Sequence, residues 1–356
     1  MNGIDIAVVI VSYKSANLVI DCLRSIEAER ATPSMRIRAL VVDGASGDVP
    51  AIAAAVEANR WSSWVTVFEA PRNGGFAYGN NLGIQRAYDD GPPAYIHLLN
   101  PDTIVRKGGI SALVRFLEAH PDVGIAGSSC ENADGSDWPY AFHFPSLLSE
   151  LGPATRLLRR WAVLREMGDK PLPVDWVGGA SLLIRRQVFD AIGGLDQRFF
   201  LYREETDFCL RARRAGFSTW YVPESRIMHL GQQSTGAAKE GEPPRRLPAF
   251  WFASRRHYFA ANYGVPYAMA VDVVALVAHS IAYVKRIVRR RSKLGIPYFL
   301  ADLLRHSIWW PRNREHATVR QIPRFSTPVA EPATVAGAPV EATLAKAQSN
   351  FHASAG

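Results

Sequence analysis

The sequence has few cysteines, a modest share of charged residues and no visible internal repeat. Its three cysteines, Cys22, Cys130 and Cys209, lie far apart in the chain. This spacing argues against a disulfide scaffold or a redox pair and fits a reducing cytosol. No basic residue precedes the first apolar run, so we expect a buried strand there rather than a signal peptide. With 48% hydrophobic and 21% charged residues, the 356-residue chain has the composition of a globular protein, which excludes disordered and fibrous classes.

The positive charge is concentrated in one segment. The chain carries a formal net charge of +8, and residues 240–310 contain eleven Lys or Arg against four Asp or Glu, whereas residues 1–239 are close to neutral. A basic excess confined to one segment indicates that this segment contacts an anionic surface. Nucleic acid and acidic lipid are the two candidates.

Short apolar runs alternate with helical patterns over the first 235 residues. Ile6–Val11 is a β-branched run typical of a strand buried on both faces, and further strands are predicted at Arg38–Val42, Trp64–Glu69 and Tyr95–Leu99. Strands that alternate with helices predict an α/β fold with a mostly parallel sheet and helices on both faces. Ligands of such sheets bind beyond the carboxyl ends of the strands, so polar residues at those ends are candidates for a site.

The regular alternation weakens after residue 119. Residues 131–173 show no sustained period and are expected to form a long loop or flap, and Val174–Arg185 is expected to be one strand. Residues 241–310 are rich in Arg, Trp and Tyr and are expected to be helical. Residues 311–356 are rich in Ala, Pro and Thr and are expected to be disordered.

Three loops contain residues suited to a nucleotide or another anion. Ser12 and Tyr13 precede a helix whose first N–H groups can bind an anion, and Tyr13 can stack on a base, although a plain turn is the alternative. Asp43 can accept a hydrogen bond from a base or ribose, or can cap an Asx turn. In the third loop, Gly75 lets the backbone approach a ligand and Asn73 supplies amide groups, without a G-x-G-x-x-G dinucleotide fingerprint.

Two acidic segments suggest chemistry. Asp102 follows a buried strand and is stiffened by Pro101, which suits a ligand of a hard divalent cation or a turn cap. Glu204, Glu205 and Asp207 crowd the start of a predicted helix, whose N-terminus relieves part of their repulsion. Crowding raises the pKa of one acid, as a general base requires, and a solvated helix start paired with nearby arginines is the alternative.

Together, and in this order, these segments resemble the family 2 inverting glycosyltransferases with the GT-A fold, in particular the bacterial rhamnosyltransferase-like branch. The matching stretches are VVIVSYKSANLVIDCLRSI, VVDGASGD, NGGFAYGNNLGI, LLNPDT, WVGGASLLIRRQVFDAIGGLDQRFFLYREETDFCLRARRAG and VPESRIMHLGQQST. The resemblance covers about residues 5–260. It implies a Rossmann-like GT-A catalytic domain over residues 1–240, followed by the helical segment.

The resemblance also implies roles for individual residues. Those expected to bind the nucleotide-sugar are Ser12, Tyr13, Asp43, Asn73, Gly75, Asn81 and Asp102. Asp102 matches the end of the family's metal-binding D-x-D motif, where Asn100 replaces the first carboxylate, and His229 matches a late histidine that reaches the metal or the diphosphate. The implied cofactor is a divalent cation, Mg²⁺ or Mn²⁺.

Glu205 matches the catalytic base of the family, which is usually an Asp. The residues expected to hold the sugar or the acceptor are Trp176, Gly178, Gly179, Glu204 and Asp207. The expected reaction is the inverting transfer of L-rhamnose from dTDP-rhamnose to a hydroxyl of a cell-surface polysaccharide or a lipid-linked glycan precursor. A nucleotidyltransferase of similar fold and a nucleic-acid-binding protein are the alternatives.

An apolar stretch of about 20 residues, 265–284, contains Asp272 and His279. Burying the Asp in a spanning helix would cost roughly 2.5–3.5 kcal/mol, so a helix in the membrane interface is favoured, with arginines on anionic headgroups at about 1 kcal/mol each. Packing on the catalytic domain or in a homodimer is the alternative. A glycan acceptor on a polyprenyl diphosphate implies a cytoplasmic enzyme, peripheral on the inner face of the membrane, with no nucleic-acid partner.

Overall fold

The computed structural model describes residues 3–152, 168–230, 245–289 and 296–326. The strands in these ranges are β1 (Ile4–Ser12), β2 (Met35–Asp43), β3 (Val65–Glu69), β4 (Tyr95–Leu99), β5 (Thr103–Val105), β6 (Val123–Glu131), β7 (Asp137–Trp138), β8 (Ala141–Phe142), β9 (Leu172–Val174), β10 (Trp176–Val177), β11 (Ser181–Arg185) and β12 (Ser218–His229). The helices are α1 (Ala16–Glu29), α2 (Val49–Ala58), α3 (Gly75–Asp89), α4 (Gly109–Ala119), α5 (Arg186–Ile192), α6 (Glu204–Arg214), α7 (Ala249–Tyr263), α8 (Val265–Val288), α9 (Phe299–Arg305) and α10 (Pro311–Arg314).

The central sheet has the strand order β3-β2-β1-β4-β11-β6-β12-β5, with β7 on β6 and β9 on β12. The pairs β3–β2, β2–β1, β1–β4 and β6–β12 are parallel, whereas β11 runs antiparallel to both of its neighbours. The predicted mostly parallel sheet is therefore confirmed. A separate two-stranded sheet joins β8 to β10.

Both faces of the sheet are covered, because alternate residues of β1 enter different cores. Ile6, Val8 and Ile10 pack with α1, α2 and α4 on one face, and Ala7 and Val9 pack with α3, α5 and α6 on the other. All five side chains are fully buried. This two-sided burial accounts for the continuous β-branched run in the sequence.

The sequence reading missed β6, one of the central strands. Its residues are mostly small, and the reason is close packing: a Cβ on Gly127 would lie 2.2 Å from a methyl of Val177, and one on Gly124 would lie 2.7 Å from the Phe217 side chain. The neighbouring side chains fill the space that strand residues normally occupy. A strand built this way lacks the apolar signal that predicts strands.

Two further expectations for the middle of the chain were wrong. Residues 131–173, expected to form a long loop, contain β7, β8, β9 and the 3₁₀ turn Ser149–Leu151, although residues 153–167 lie outside the described ranges. Val174–Arg185, expected to be one strand, is divided into β10 and β11, which belong to different sheets. The division falls at Gly178 and Gly179.

The C-terminal helices α7 and α8 pack on the α/β part around a third core, and α9 packs on α7 and α8 in a separate, smaller cluster. Tyr258 and Phe259 of α7 and Val271 of α8 are buried in the third core with Phe199 and Leu210. The segment after residue 310, expected to be disordered, is ordered through residue 326 and begins with α10. The remainder of the expected disordered tail, 327–356, lies outside the described residues.

Helix α8 is long and apolar enough to cross a membrane by length and composition alone, and among the described residues one helix meets that test. One face of α8 packs on the protein, and Asp272 on this face is 2% exposed. The Asp272 carboxylate accepts hydrogen bonds from Arg255 at 2.6 Å and from the Ser307 hydroxyl at 2.8 Å. The opposite face exposes a stripe of apolar residues at helical spacing, Val273, Val277, Ile281, Val284 and Val288.

Candidate active site

A cleft of about 470 Å³ opens at the carboxyl ends of the four parallel strands β1 to β4. Ser12 ends β1, Gly44 follows β2, Ala70 follows β3 and Asn100 follows β4, and all four residues line the cleft. The predicted site residues that line it are Ser12, Tyr13, Asn73, Gly75, Asp102, Trp176, Gly178, Gly179, Glu204, Glu205 and His229. Asp43, Asn81 and Asp207 are absent from the lining.

In the loop after β2, Asp43 is fully buried and binds its own turn. Its carboxylate accepts hydrogen bonds from the Ser46 N–H at 2.9 Å, the Ser46 hydroxyl at 2.5 Å and the Gly47 N–H at 3.1 Å. This is the Asx turn that the sequence left open as the alternative. Tyr13 is 38% exposed at the cleft and its ring is available for stacking.

Of the three predicted residues between 73 and 81, Asn73 and Gly75 line the cleft, whereas Asn81 lies in α3 and is buried. Asn73 Oδ1 accepts a hydrogen bond from the Gly75 N–H at 3.1 Å. Asn81 is 3% exposed, donates to the Leu195 carbonyl at 2.8 Å and accepts from the Leu195 N–H at 2.9 Å. Asn81 therefore fixes the loop after α5 to α3, and we do not propose that it contacts the nucleotide.

Asp102 and His229 meet on the floor of the cleft. His229 Nε2 lies 3.1 Å from Asp102 Oδ1, and β12 brings the histidine there by pairing with β5. Asn100 Oδ1 and His229 Nδ1 are buried and have no hydrogen-bond partner among the described residues. The same part of the chain holds no group of three or more His, Cys, Asp or Glu placed to bind a metal ion. These donors fit a divalent cation that takes one or two protein ligands and the rest from phosphate and water, as Mg²⁺ commonly does.

Glu204 and Glu205 stand at the first turn of α6, directly after a strained segment. Tyr202 and Arg203 have φ angles of 71° and 75°, which cost about 1–3 kcal/mol each in residues other than glycine. The Phe200 carbonyl accepts a hydrogen bond from the Phe76 N–H at 2.8 Å, and the Leu201 carbonyl accepts one from the Ser254 hydroxyl at 2.9 Å. These contacts offset the strain and hold the turn against α3 and α7.

The surroundings of the two acids favour their protonated forms. Burial raises the pKa of Glu205, and burial together with the charge of Glu205 raises the pKa of Glu204 well above its ordinary value. Glu204 is 3% exposed, and its Oε2 has no hydrogen-bond partner among the described residues. A carboxyl group with a raised pKa accepts a proton more readily once it is ionised, which suits a general base.

Asp207, expected to contact the sugar or acceptor, faces away from the cleft. Its carboxylate is fully buried and is bound by Arg211 at 2.8 Å, by Arg320 at 2.8 and 3.0 Å and by the Asn262 amide at 2.7 Å. Two residues after Glu205, it points to the other side of α6, because successive helical residues are rotated by about 100°. Its role is structural.

Aromatic side chains form the far wall of the cleft. Trp176 stacks on Phe142 with ring centroids 4.3 Å apart, and its indole N–H donates to the His143 carbonyl at 2.9 Å. Tyr140 lies behind Gly178, where a Cβ would come within 2.2 Å of the phenol ring. Gly178 therefore makes room for Tyr140, whereas Gly179 has space above it, and Glu205 lies 3.7 Å from the position its Cβ would take.

Tyr140 and Trp138 were not predicted as site residues, yet both line the cleft, as does Arg72 at the start of the third loop. The Tyr140 hydroxyl accepts a hydrogen bond from the Ala180 N–H at 2.9 Å. Burial raises the pKa of Tyr140 well above its ordinary value. The aromatic content of residues 131–173 was the available signal, but the pairings of β7 with β6 and of β8 with β10 bring these side chains to the cleft.

The family profile described as "Glycosyltransferase like family 2" matches residues 3–247. The chain is 33% identical over 162 residues to the N-acetylglucosaminyl-diphospho-decaprenol L-rhamnosyltransferase of Mycobacterium tuberculosis (strain CDC 1551 / Oshkosh), which covers 43% of this chain and 53% of that protein. It is 27% identical over 159 residues to rhamnosyltransferase WbbL of Escherichia coli (strain K12), covering 44% and 60%. The chain thus spans about half the length of the first of these relatives.

Two solved structures share the fold. GalNAc-T7 with UDP, GalNAc and Mn²⁺ superposes with a TM-score of 0.51 at 15% identity, over 80% of this chain and 56% of that chain. The mannosyltransferase PcManGT from Pyrobaculum calidifontis, in complex with GDP-Man and Mn²⁺, superposes with a TM-score of 0.50 at 16% identity, over 88% and 83%. At such identities the similarity concerns the fold alone.

Proposed function

Because the chain belongs to glycosyltransferase family 2, we propose that it transfers a sugar from a nucleotide-sugar to a hydroxyl acceptor in one displacement, with inversion at the anomeric carbon. One observation carries the proposal. Glu205 lines the same cleft as the Asp102–His229 pair and the loops after β1 and β2. An acid with a raised pKa, a floor suited to a cation and diphosphate, and a nucleotide-sized groove are the parts that this reaction needs.

Glu205 is proposed to accept the proton of the acceptor hydroxyl as the oxygen of that hydroxyl bonds to the anomeric carbon. The bond from this carbon to the diphosphate oxygen breaks, and the nucleoside diphosphate leaves with the electron pair. Tyr13 is proposed to stack on the base, and Arg72 to face the diphosphate, because both line the groove beside the β1 and β3 ends. Trp176 and Phe142 offer an apolar wall for a sugar ring.

Both solved structures of similar fold, GalNAc-T7 and PcManGT, contain Mn²⁺, and a divalent cation, Mg²⁺ or Mn²⁺, is proposed for this chain. Asp102 would hold it, with His229 as a second ligand or as the partner that orients the Asp102 carboxylate. A bound divalent cation supplies positive charge that stabilises the leaving diphosphate. The amide oxygen of Asn100, buried without a partner among the described residues, offers one neutral ligand where the D-x-D motif has a carboxylate.

The donor is proposed to be a rhamnose nucleotide, dTDP-rhamnose, since two relatives are rhamnosyltransferases. The acceptor is proposed to be a glycan on a polyprenyl diphosphate, because the first relative acts on N-acetylglucosaminyl-diphospho-decaprenol by its name. A panel of nucleotide-sugars, assayed for released nucleoside diphosphate, tests the donor. A nucleoside triphosphate in the same panel tests the nucleotidyltransferase alternative, which releases diphosphate instead.

A membrane-linked acceptor agrees with the exposed apolar stripe on α8. That stripe lies beside the basic end of the helix, where Lys285 and Arg286 occupy the last turn. The other face of α8 carries Asp272, which is paired with Arg255. If α8 crossed the membrane, this ion pair would have to lie in the hydrocarbon core. We propose that α8 lies in the interface of an anionic membrane on the cytoplasmic side.

Glu205→Gln tests the proposed base. The amide keeps the size of the side chain but cannot take a proton, so turnover is expected to fall by about 10²–10⁴-fold while donor binding persists. Steady-state rates and equilibrium donor binding measure the two effects. Turnover close to that of the unmodified protein would show that Glu205 is not the base.

A further inference from the structure

Residues 316–326, called the strap, pack against the loop between α5 and α6. The Gly194 N–H donates to the Pro323 carbonyl at 2.9 Å, and the Gln197 N–H donates to the Gln321 carbonyl at 2.9 Å. The Phe325 ring packs 5.4 Å from Tyr88. The strap lies beyond the 3–247 range that matches the family profile, yet it binds the loop between α5 and α6.

Arg320 is the strap residue that reaches α6. It donates to both carboxylate oxygens of Asp207, at 2.8 and 3.0 Å, and to Asn262 Oδ1 of α7 at 2.8 Å. A second acid, Asp196, has its Oδ2 3.4 Å from Arg320 and 2.8 Å from His257 Nε2. The Arg320 side chain is 23% exposed, so the guanidinium stands at the edge of a buried ionic cluster.

Asp207 and Glu205 are coupled by the geometry of one helix turn. The two side chains are separated by about 200° around the axis of α6. A contact that fixes Asp207 on the side away from the cleft therefore also fixes the direction of Glu205 toward the cleft. The Asp207 N–H donates to the Arg203 carbonyl at 2.8 Å, inside the strained turn. Tyr202 and Arg203 carry the backbone strain of this turn, and the buried ion pair on Asp207 opposes its relaxation.

We propose that Arg320 is a positioning residue that holds α6 in the orientation needed for Glu205 to act. The proposal rests on the proposed role of Glu205 as the base. Removing Arg320 leaves Asp207 paired with Arg211 and Asp196 paired with His257. Neither buried carboxylate becomes unpaired, so Arg320→Ala is expected to fold.

Arg324 provides the matched control. It lies on the same strap, but its guanidinium donates to the Ala191 carbonyl of α5 at 2.9 Å and does not touch α6. The full chain carrying Arg320→Ala, Arg324→Ala or Glu205→Gln is assayed with dTDP-rhamnose and N-acetylglucosaminyl-diphospho-polyprenol. Arg320→Ala is expected to lower kcat by about ten- to a hundredfold, since a misplacement of about 1 Å has effects of that size, and to leave the donor KM within about twofold.

Chemical rescue separates positioning from general destabilisation. Guanidinium ion at low millimolar concentration is expected to restore part of the kcat of Arg320→Ala, because it can enter the partly exposed site between Asp207 and Asn262. Arg324→Ala is expected to keep its kcat with or without the ion. Equal rates for the two Arg variants would overturn the proposal, and so would a loss in Arg320→Ala that guanidinium leaves unchanged.

The Glu205→Gln variant distinguishes a failure of the positioning role of Arg320 from a failure of the base role of Glu205. If Glu205→Gln loses turnover while Arg320→Ala keeps it, the positioning role is wrong and the base assignment stands. If Glu205→Gln keeps turnover, the proposed function of Glu205 is wrong whatever Arg320→Ala does.

Discussion

At the scale of single residues, Glu204 and Glu205 differ mainly in how far they are buried. Burial raises the pKa of both, and the charge of Glu205 raises that of Glu204 further, so Glu205 ionises first as the pH rises. A base must be ionised to act, and turnover is therefore expected to fall as the pH drops through the raised pKa of Glu205.

Glu204→Gln is expected to stabilise the protein at neutral and alkaline pH. A carboxyl whose pKa is raised by folding contributes stability that is present at low pH and is lost as the pH rises through the folded-state pKa. The amide cannot ionise, so the variant escapes that loss. The difference in Tm between the variant and the unmodified protein, measured by thermal unfolding at about pH 5 and about pH 8, tests this expectation. Glu57→Gln, an exposed change on α2, is the control, and a Tm of Glu204→Gln below that of the unmodified protein at the higher pH would contradict the expectation.

Asp102→Ala is expected to abolish activation by Mn²⁺ or Mg²⁺. Asp102 is the proposed charged oxygen ligand on the cleft floor, and the Asn100 amide and the His229 ring that remain would bind a hard cation weakly. Turnover measured across a titration of each metal checks this. The exposed Asp21→Ala on α1 serves as the control. Metal activation that is unchanged in Asp102→Ala would remove the assignment.

At the scale of elements, the site depends on a contact between two turns. The turn before α3 touches the turn before α6 so closely that a Cβ on Gly75 would lie 1.9 Å from the Phe200 carbonyl oxygen. Gly75 also has a φ of +83°. The loop before α3 and the strained turn before Glu205 are thereby fixed to each other.

Gly75→Ala is expected to destabilise the protein more than Gly47→Ala. Gly47 has a nearly equal φ of +86° but nothing within 4 Å of its Cβ position, so both changes strain the backbone and only Gly75→Ala creates a clash. The clash should add roughly 1–3 kcal/mol to the loss in the free energy of unfolding. Denaturant unfolding of the two variants measures the difference, and equal losses would show that the turns are not in rigid contact.

At the scale of the whole molecule, the C-terminal helices pack on the α/β part and expose the apolar stripe of α8 to solvent. Helix α8 packs on α7 and α9 through its Asp272 face and exposes valines and an isoleucine on the other. The net charge of +8 comes largely from this part of the sequence. An apolar stripe with a basic end is the pattern of a helix that binds an anionic membrane interface.

Replacing Val277 and Val284 together by Glu is expected to prevent binding to phosphatidylglycerol vesicles. Both residues are about half exposed on the stripe, so the change introduces charge at the apolar contact and leaves the core intact. Val319→Glu, an equally exposed apolar residue on the strap, should keep binding. Vesicle sedimentation at low and high salt measures binding, and electrostatic attraction predicts weaker binding at high salt. Retained binding by the double variant, or an RNA gel shift without vesicle binding, would contradict the proposal.

The sequence predicted the elements whose signals are local. The apolar runs of β1 and β4, the helical periods of α1 and α4, and the polar residues that follow parallel strands all lie within short windows. The fold class and the family followed from their order. Strand β6 was not predicted because its signal is not local: its glycines are explained by their packing against Val177 and Phe217, which are distant in sequence.

The tertiary structure decided which polar residues face the cleft. Asp43, Asn81 and Asp207 stand at positions that suit ligand binding in sequence, but each is buried with its hydrogen bonds satisfied elsewhere. The partners of Asn81 and Asp207 include Leu195 and Arg320, more than one hundred residues away. Hydrogen bonds of this kind depend on three-dimensional proximity, which no local pattern encodes. The sequence by itself thus determined the fold and the kind of chemistry, and packing between distant segments decided which acid points into the cleft and what holds it there.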